Sequence, residues 1–430
     1  MPRPVCRYHG ETVIDPRILR EDPDLVRGAL KRRGSDIDLD RIIALEQKAR
    51  TVQTEAETAR ATQREAGRRI AVLSGADKQS AIDEVQGLAD RVKSLTAEAE
   101  AAVAEFEQAW LTVPNLVDPT AVAGQEGEGE VLREVGDHPD FGFESLDYAT
   151  LGESLDIVDT ERAAKVSGSR FGYLKGKAVL LEFALVRWAL DRLMAAGHTP
   201  MVPPVLVREE ALVGTGFFPA DRDQVYAIPE DDLFLVGTSE VPLAAYHSDE
   251  IFEAEDLPAR YAGFSTCFRR EAGTYGKDTT GIFRVHQFDK VEMFVFCQPG
   301  DSAAEHERLL GIEESLVQEL EVPYRVVNIP AGDLGASAAK KYDIEAWFPS
   351  QGRYREVTSC SNTTDYQARR LRVRYRSDGS NEIAHTLNGT ACAVGRTILA
   401  LLENHQQPDG SVAIPAALRP YTGFDSIDPP

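Results

Sequence analysis

Cysteine is scarce and scattered: Cys6, Cys267, Cys297, Cys360 and Cys392 are the five thiols in 430 residues. The count is odd and no C-x-x-C pair occurs, so neither a disulfide framework nor a thiolate zinc site is suggested, and buried or idle free thiols are the default. Long apolar runs are missing as well. No stretch approaches the ~18 residues of a membrane helix, and residues 1–12 are polar without the apolar centre of a signal peptide, which points to a cytoplasmic protein with no membrane partner. In such a chain the N-x-T triplets at Asn362 and Asn388 read as chance. Internal repeats are absent, and so is any glycine-rich Rossmann or Walker fingerprint, so a nucleotide would have to be held by another device. Positive charge is in short supply: 47 basic against 70 acidic side chains give a net −23. A nucleic-acid partner would therefore be met by local basic patches and not by the overall field.

What is present is the composition of a folded soluble protein, 43% apolar and 27% charged, in a chain long enough for two domains with real cores. From Ile42, apolar residues and alanines recur in steps of three and four through Leu45, Ala49, Val52, Ala56 and Ala59. They continue at Ala66, Ile70 and Leu73, with only Gln63 interrupting. So narrow a stripe is the seam of a long helix paired with another. Beyond residues 74–77 the rhythm resumes at Val85, Leu88, Val92, Leu95, Ala99, Ala102, Phe106 and Ala109, predicting a second helix that runs back along the first. At ~1.5 Å per residue this antiparallel hairpin would be a rod on the order of 45 Å long. The first helix carries Lys48, Arg50, Arg60, Arg64, Arg68 and Arg69, and the second Glu98, Glu100, Glu105 and Glu107. One side is therefore locally positive, and the residues alone leave two readings open: solvated coiled-coil surface, or a grip on phosphates.

Pro114, Pro119 and the Gly/Glu-rich stretch 124–129 read as a linker. Beyond it, strand-like runs at 233–236, 291–296 and 324–329 alternate with helical stretches at 180–196 and 305–320, predicting an α+β fold with a mainly antiparallel sheet flanked by helices. The densest chemistry lies in Phe268-Arg269-Arg270-Glu271 and in residues 284–292, two segments around a loop rich in Gly, Thr and Lys that read as a hairpin. On a strand, Arg284, His286, Phe288 and Lys290 would share one face. Cations around an aromatic plate suit a nucleotide, with guanidinium for phosphate and phenyl for base.

These segments resemble motif 2 of the class II aminoacyl-tRNA synthetases in its seryl form, with Phe268-Arg269-Arg270-Glu271 followed by Val285-His286-Gln287-Phe288-Asp289-Lys290-Val291-Glu292. The likeness continues in order through Val236-Gly237-Thr238-Ser239-Glu240, Glu356-Val357-Thr358-Ser359-Cys360-Ser361-Asn362 with Asp365-Tyr366-Gln367-Ala368-Arg369-Arg370, and Thr386-Leu387-Asn388-Gly389-Thr390 with Gly395-Arg396, the last similar to motif 3. Residues 193–207, with Gly197, Pro200, Pro203 and Pro204, resemble motif 1, which forms a dimer interface in that class. The long hairpin matches the arm of bacterial seryl-tRNA synthetases, so the resemblance spans roughly residues 12–425. It implies an extension at 1–12, a tRNA-binding hairpin domain at 13–115, a linker at 116–140, a class II catalytic domain at 141–425 and a tail at 426–430.

The same resemblance implies the chemistry: activation of L-serine with ATP to seryl-adenylate, then transfer to tRNA(Ser), and to tRNA(Sec) where that is present, by a homodimer. In that reading Arg269 holds the α-phosphate, Glu271 meets the adenine amino group, Phe288 stacks on the base, and Arg396 grips the γ-phosphate. Glu356 and Ser359 match positions that hold Mg2+ and phosphate, and no structural zinc is expected. Serine falls to Thr238, Glu240, Arg269, Glu292, Asn388 and Thr390, with Arg284 implied at its carboxylate as well as in the ATP set. Arg269, Arg396 and Glu356 are the catalytic group, and Arg60, Arg64, Arg68 and Arg69 the tRNA contacts. His286 is read as structural, because the serine carboxylate is already a competent nucleophile. The chain departs from the family pattern in residues 1–12, in Thr280 and in Ala391-Cys392, the last a candidate to alter the serine pocket. Alternative readings are a specialised second copy, serving a natural-product or inhibitor-resistance role, and a non-catalytic tRNA-binding paralogue. A ligase that loads a carrier protein is disfavoured by the intact arm.

Overall fold

The computed structural model describes residues 14–70, 73–273, 282–377 and 379–430. The expectations for residues 1–12, Cys6 and Thr280 lie outside these. The chain divides into two compact units, the smaller of residues 15–30 and 35–114 and the larger of Ile14, residues 31–34 and 115–430.

The short helix α1 (Pro23–Arg32) precedes the two long helices of the smaller unit, α2 (Leu39–Ile70) and α3 (Gly75–Trp110). Their seam is the one the spacing predicts: Ile42, Leu45, Ala49, Ala56 and Ala59 are buried on α2, and Ala99, Ala102 and Phe106 on α3. Lys48 reaches Glu105 at 3.1 Å and Arg60 reaches Thr96 at 3.0 Å, so ascending one helix means descending the other. Alanine on both sides of the seam lets the two helices approach closely. Two helices alone can bury only a narrow stripe, and Val85, Leu88, Val92 and Leu95 remain half-buried. The periodic reading stops one residue short of Trp110, which is fully buried and stacks with Phe106 at a centroid separation of 6.1 Å.

The larger unit is built on an eight-stranded sheet of β1 (Glu130–Val135), β2 (Thr199–Met201), β3 (Ala259–Phe268), β4 (Gln287–Cys297), β5 (Tyr324–Asn328), β6 (Lys340–Phe348), β7 (Arg353–Thr364) and β8 (His385–Ala393). The spatial order is β1-β5-β6-β7-β8-β4-β3-β2, and every neighbouring pair is antiparallel except β2 with β3. Together with the long hairpin this is the α+β architecture expected. One stretch differs from its reading: within 116–140, taken as linker, residues 130–135 are extended and pair with β5 at the sheet edge. Alternation along β4 shows how the sheet divides its two faces. Met293 and Val295 join a core with Leu185 and Trp188 of α4 (Lys177–Ala195), Leu309 and Leu316 of α7 (Ser302–Glu319) and Ile398 and Leu402 of α9 (Val394–Asn404). Phe294 and Phe296 face the other way, onto Leu243 of α6 (Glu240–Ala245) and Leu371 of α8 (Tyr366–Leu371). On that second face, residues 288, 290 and 292 lie ahead of this cover and open onto a cavity.

Candidate active site

The cavity holds about 590 Å³ and is walled by β3, β4, β7 and β8, by the start of α9, by the C-terminal end of α5 (Glu209–Thr215) and by residues 335–338. All twelve residues that the resemblance assigns to ATP, serine or metal line it. They come from five separated parts of the chain, brought together because β8 lies between β4 and β7 in the sheet.

One part of the wall is rich in arginine. The Arg269 Nε donates to the Gly237 carbonyl at 3.2 Å and the guanidinium lies 5.2 Å from the Phe288 ring centroid. Arg284 donates to Glu271 at 2.6 Å, so this carboxylate already has a cation on it. Arg396 donates to the Glu356 carbonyl at 3.0 Å, stands 3.4 Å from its carboxylate, and lies 4.9 Å over the Phe283 ring. Burial alone would push the Glu356 carboxyl up, but the charges of Lys341, Arg396 and Arg269 outweigh it and hold the group below the usual carboxylate range. Ser359 follows on the same strand and also lines the cavity.

Another part is rich in buried acid. Glu240 accepts from Gln367 at 2.7 Å and from Asn388 at 3.0 Å, and its backbone N–H reaches the Thr238 hydroxyl at 3.2 Å. Burial, then the neighbouring charge of Glu292, raise its pKa to about 7. Glu292 is ion-paired with Lys290 and accepts from the Thr390 hydroxyl at 3.3 Å. Hydroxyl, amide and carboxylate groups therefore converge at this end. Such a set can read a small ligand bearing an ammonium and a hydroxyl.

Two sequence expectations are adjusted. β4 begins at Gln287, so Arg284 and His286 precede the strand; Arg284, Phe288 and Lys290 line the cavity, but His286 does not. Its Nδ1 is 2.8 Å from the Arg269 carbonyl and its own carbonyl accepts from the Arg269 N–H at 3.0 Å, a bracing role that fits the structural reading. Neither Ala391 nor Cys392 lines the cavity; Cys392 is buried in the core against Thr397 at 3.5 Å, because it follows the bulge in β8 pairing and points away from Thr390. Gln367 and Lys341 were missed as site residues. Gln367 stood in a quoted block without a role, and Lys341 lies outside every block; among the described residues it pairs with Asp343 at 2.9 Å and lines the cavity.

Comparison with known proteins decides the family. The model for the seryl-tRNA synthetase N-terminal domain matches residues 13–117, and that for the class II tRNA synthetase core domain (G, H, P, S and T) matches residues 225–405. The serine–tRNA ligase of Thermobifida fusca is 52% identical over 97% of this chain and 99% of its own length, and that of Streptomyces coelicolor 51% identical over 96% and 98%. The chain belongs to the seryl-tRNA synthetase family. Among solved members, the seryl-tRNA synthetase of Pyrococcus horikoshii complexed with ATP superposes with a TM-score of 0.92 at 41% identity, covering 97% of this chain and all of that one. The cytoplasmic enzyme of Naegleria fowleri in complex with AMP gives 0.87 at 33% identity, covering 98% and 99%. In this family member the hairpin falls within the N-terminal match, and the arginine-rich and acid-rich parts of the cavity within the core match. Among the described residues no helix is long and apolar enough to cross a membrane.

Proposed function

We propose that the cavity activates L-serine with ATP and passes the seryl group to tRNA(Ser). The observation that carries this is the pairing, in one cavity, of converging guanidinium groups with a buried set of acids, hydroxyls and amides. The arginine-rich part takes the triphosphate. Attack of the serine carboxylate oxygen on the α-phosphorus forms the acyl phosphate bond as the bond to the bridging oxygen breaks and pyrophosphate leaves. Negative charge grows on the α-phosphoryl oxygens during this step, and a guanidinium fixed in advance by the Gly237 carbonyl, as Arg269 is, stabilises it without reorganising. Arg396 steadies the far end of the nucleotide, Phe288 offers its face to the base, and Glu271 its carboxylate to the adenine amino group. A hard divalent cation fits the donors here, since the Glu356 carboxylate is kept ionised and Ser359 supplies a hydroxyl. Mg2+ held by these two would neutralise part of the triphosphate charge.

Serine lies between the acids and the arginines, its ammonium toward Glu240, its carboxylate near Arg269 and Arg284, and its hydroxyl among Glu292, Asn388 and Thr390. A pocket that hydrogen-bonds a hydroxyl rejects alanine, which would leave those buried groups unpaired. In the second half, a ribose hydroxyl of the terminal adenosine attacks the carbonyl carbon and AMP leaves. Arg60, Arg64, Arg68 and Arg69, all exposed on α2, take the tRNA backbone by charge and shape. The enzyme works as a homodimer in the cytoplasm: α4 leaves Leu180 and Phe183 more than half exposed, with Met194 and Val202 nearby in sequence, an apolar face of the kind a partner copy covers. The test is pyrophosphate exchange with each amino acid in turn, followed by charging of purified tRNA(Ser). Exchange with serine is the expected result; exchange with no amino acid removes the catalytic reading, and exchange with another reassigns the pocket.

A further inference from the structure

Residues 335–338 form part of the cavity wall, and their backbone, with that of Leu334 before them, is held in an unusual way. Arg33 is 9% exposed, and no carboxylate among the described residues pairs with it. Its guanidinium is spent on carbonyls instead: Nε on Asn115 at 3.0 Å, Nη1 on Leu334 at 3.1 Å and Gly335 at 3.2 Å, and Nη2 on Ala338. Asn115, 2% exposed, takes the two carbonyls between, its N–H on Ala336 at 2.8 Å and its Nδ2 on Ser337 at 2.9 Å. The same Nδ2 reaches the Thr363 carbonyl on β7 at 2.8 Å, which ties the wall to the sheet. Two residues, through their side chains and the Asn115 backbone N–H, thus account for the five consecutive carbonyls of residues 334–338, and both belong to the same compact unit as the cavity.

Burying a guanidinium without a counter-charge is costly, and holding four carbonyls that water could serve equally well does not require it. A rigid fork of donors is suited to fixing where several carbonyls lie relative to one another. What it fixes lies at the amino-acid end. Ser337 packs against Gly216, where an added Cβ would stand 3.5 Å from the Ser337 Cβ. Next to Gly216, the Thr215 carbonyl accepts from Gln367 at 3.2 Å, and the same Gln367 amide donates to Glu240 at 2.7 Å. The chain of contacts runs from Arg33 and Asn115 through the wall to the carboxylate set that faces serine.

We propose that Arg33 and Asn115 are positioning residues for serine, holding residues 334–338, of which 335–338 line the cavity, behind the Thr215, Gln367 and Glu240 contacts. They lie in the stretch that matches the N-terminal domain model, outside the core match, yet act on the amino-acid pocket. The proposal rests on the serine-activation reading. It is tested in the full-length protein by pyrophosphate exchange with separately varied serine and ATP, in Arg33→Lys, which keeps the charge but not the fork, and in Asn115→Ser, which loses the Nδ2 contacts but keeps the N–H. The expected result is a serine KM about tenfold higher in each, with the ATP KM and kcat within about threefold. Internal deletion of residues 45–108, which spares both side chains, should leave the serine KM unchanged. An unchanged serine KM in the variants, or both KM values rising together, overturns the proposal. If Arg33→Lys does not fold, Asn115→Ser decides by the same criterion. Failure of the unaltered protein to exchange with serine would instead remove the functional reading beneath it.

Discussion

The hairpin and the cavity solve opposite problems with the same residue types. On α2 the arginines are exposed; Arg60 donates to Thr96 and Arg64 to the carbonyl of Arg60, and among the described residues none of Arg60, Arg64, Arg68 and Arg69 is ion-paired. In the cavity each arginine assigned to ATP or serine, Arg269, Arg284 and Arg396, is fixed by a carbonyl, a carboxylate or a ring. An exposed guanidinium is screened by water and salt and can follow a phosphate backbone wherever it lies. A fixed and partly desolvated one acts at a single point, where charge appears in the transition state. The difference predicts that the cavity is sensitive to single substitutions and the hairpin to their sum.

The largest effect should come from Arg269→Ala. Loss of the fixed cation at the α-phosphoryl group is expected to lower kcat/KM for pyrophosphate exchange by about a thousandfold or more, and charging with it. Retention of exchange within tenfold would place the transition-state charge elsewhere. Removing residues 45–108 should separate the two regions cleanly: charging of tRNA(Ser) lost, exchange within about threefold of the whole protein. Charging at the full rate would mean that the hairpin is not the tRNA contact. Replacing Arg60, Arg64, Arg68 and Arg69 together with Gln should raise the tRNA KM by about ten- to a hundredfold at low salt and flatten its salt dependence, each single change giving only a fraction of that. An equal effect from one substitution alone would contradict the distributed contact.

How far these regions could be read from the sequence follows from the same contrast. The hairpin is periodic, so its seam was legible from Ile42 to Phe106 without any relative to compare, although Trp110 fell beyond the last regular step. The cavity is aperiodic, and it was legible because its residues sit in ordered blocks whose likeness to a family could be recognised. Residues that act through the backbone escaped both routes. Arg33 touches carbonyls, which every residue has, so nothing in its neighbours' identities marks it. β1 escaped because an exposed edge strand among Gly and Glu carries no apolar alternation. Glu313 sits in a stretch that reads as an ordinary amphipathic helix, yet it is fully buried beneath β7 and β8, accepting from Thr358 at 3.1 Å. Burial there pushes its carboxyl well up, and its Oε1 occupies the space where a side chain on Gly389 would begin. That glycine, between Asn388 and Thr390, is explained by a residue 76 positions earlier in the chain, 389 − 313.

The smallest effect expected is also the one that separates binding from stability. The pKa of Glu240 is raised to about 7 by burial and by Glu292, so it titrates near neutral pH. Because the folded protein holds this proton more tightly than the unfolded chain, the group's contribution to stability is fully present below the ordinary carboxylate range, near pH 4.5, and is lost as pH rises through 7. Serine binding should run the other way, since its ammonium favours the ionised carboxylate. The serine KM is therefore expected to rise by up to about tenfold per unit as pH falls below 7, while Glu240→Gln has a high serine KM that no longer varies with pH. Thermal melts provide a second check: saturating serine binds only the folded state, so the shift in Tm it produces should be larger at pH 7.5 than at pH 6 in the unaltered protein and alike at both in Glu240→Gln. Equal shifts at the two pH values in the unaltered protein would show that the serine ammonium rests on another group.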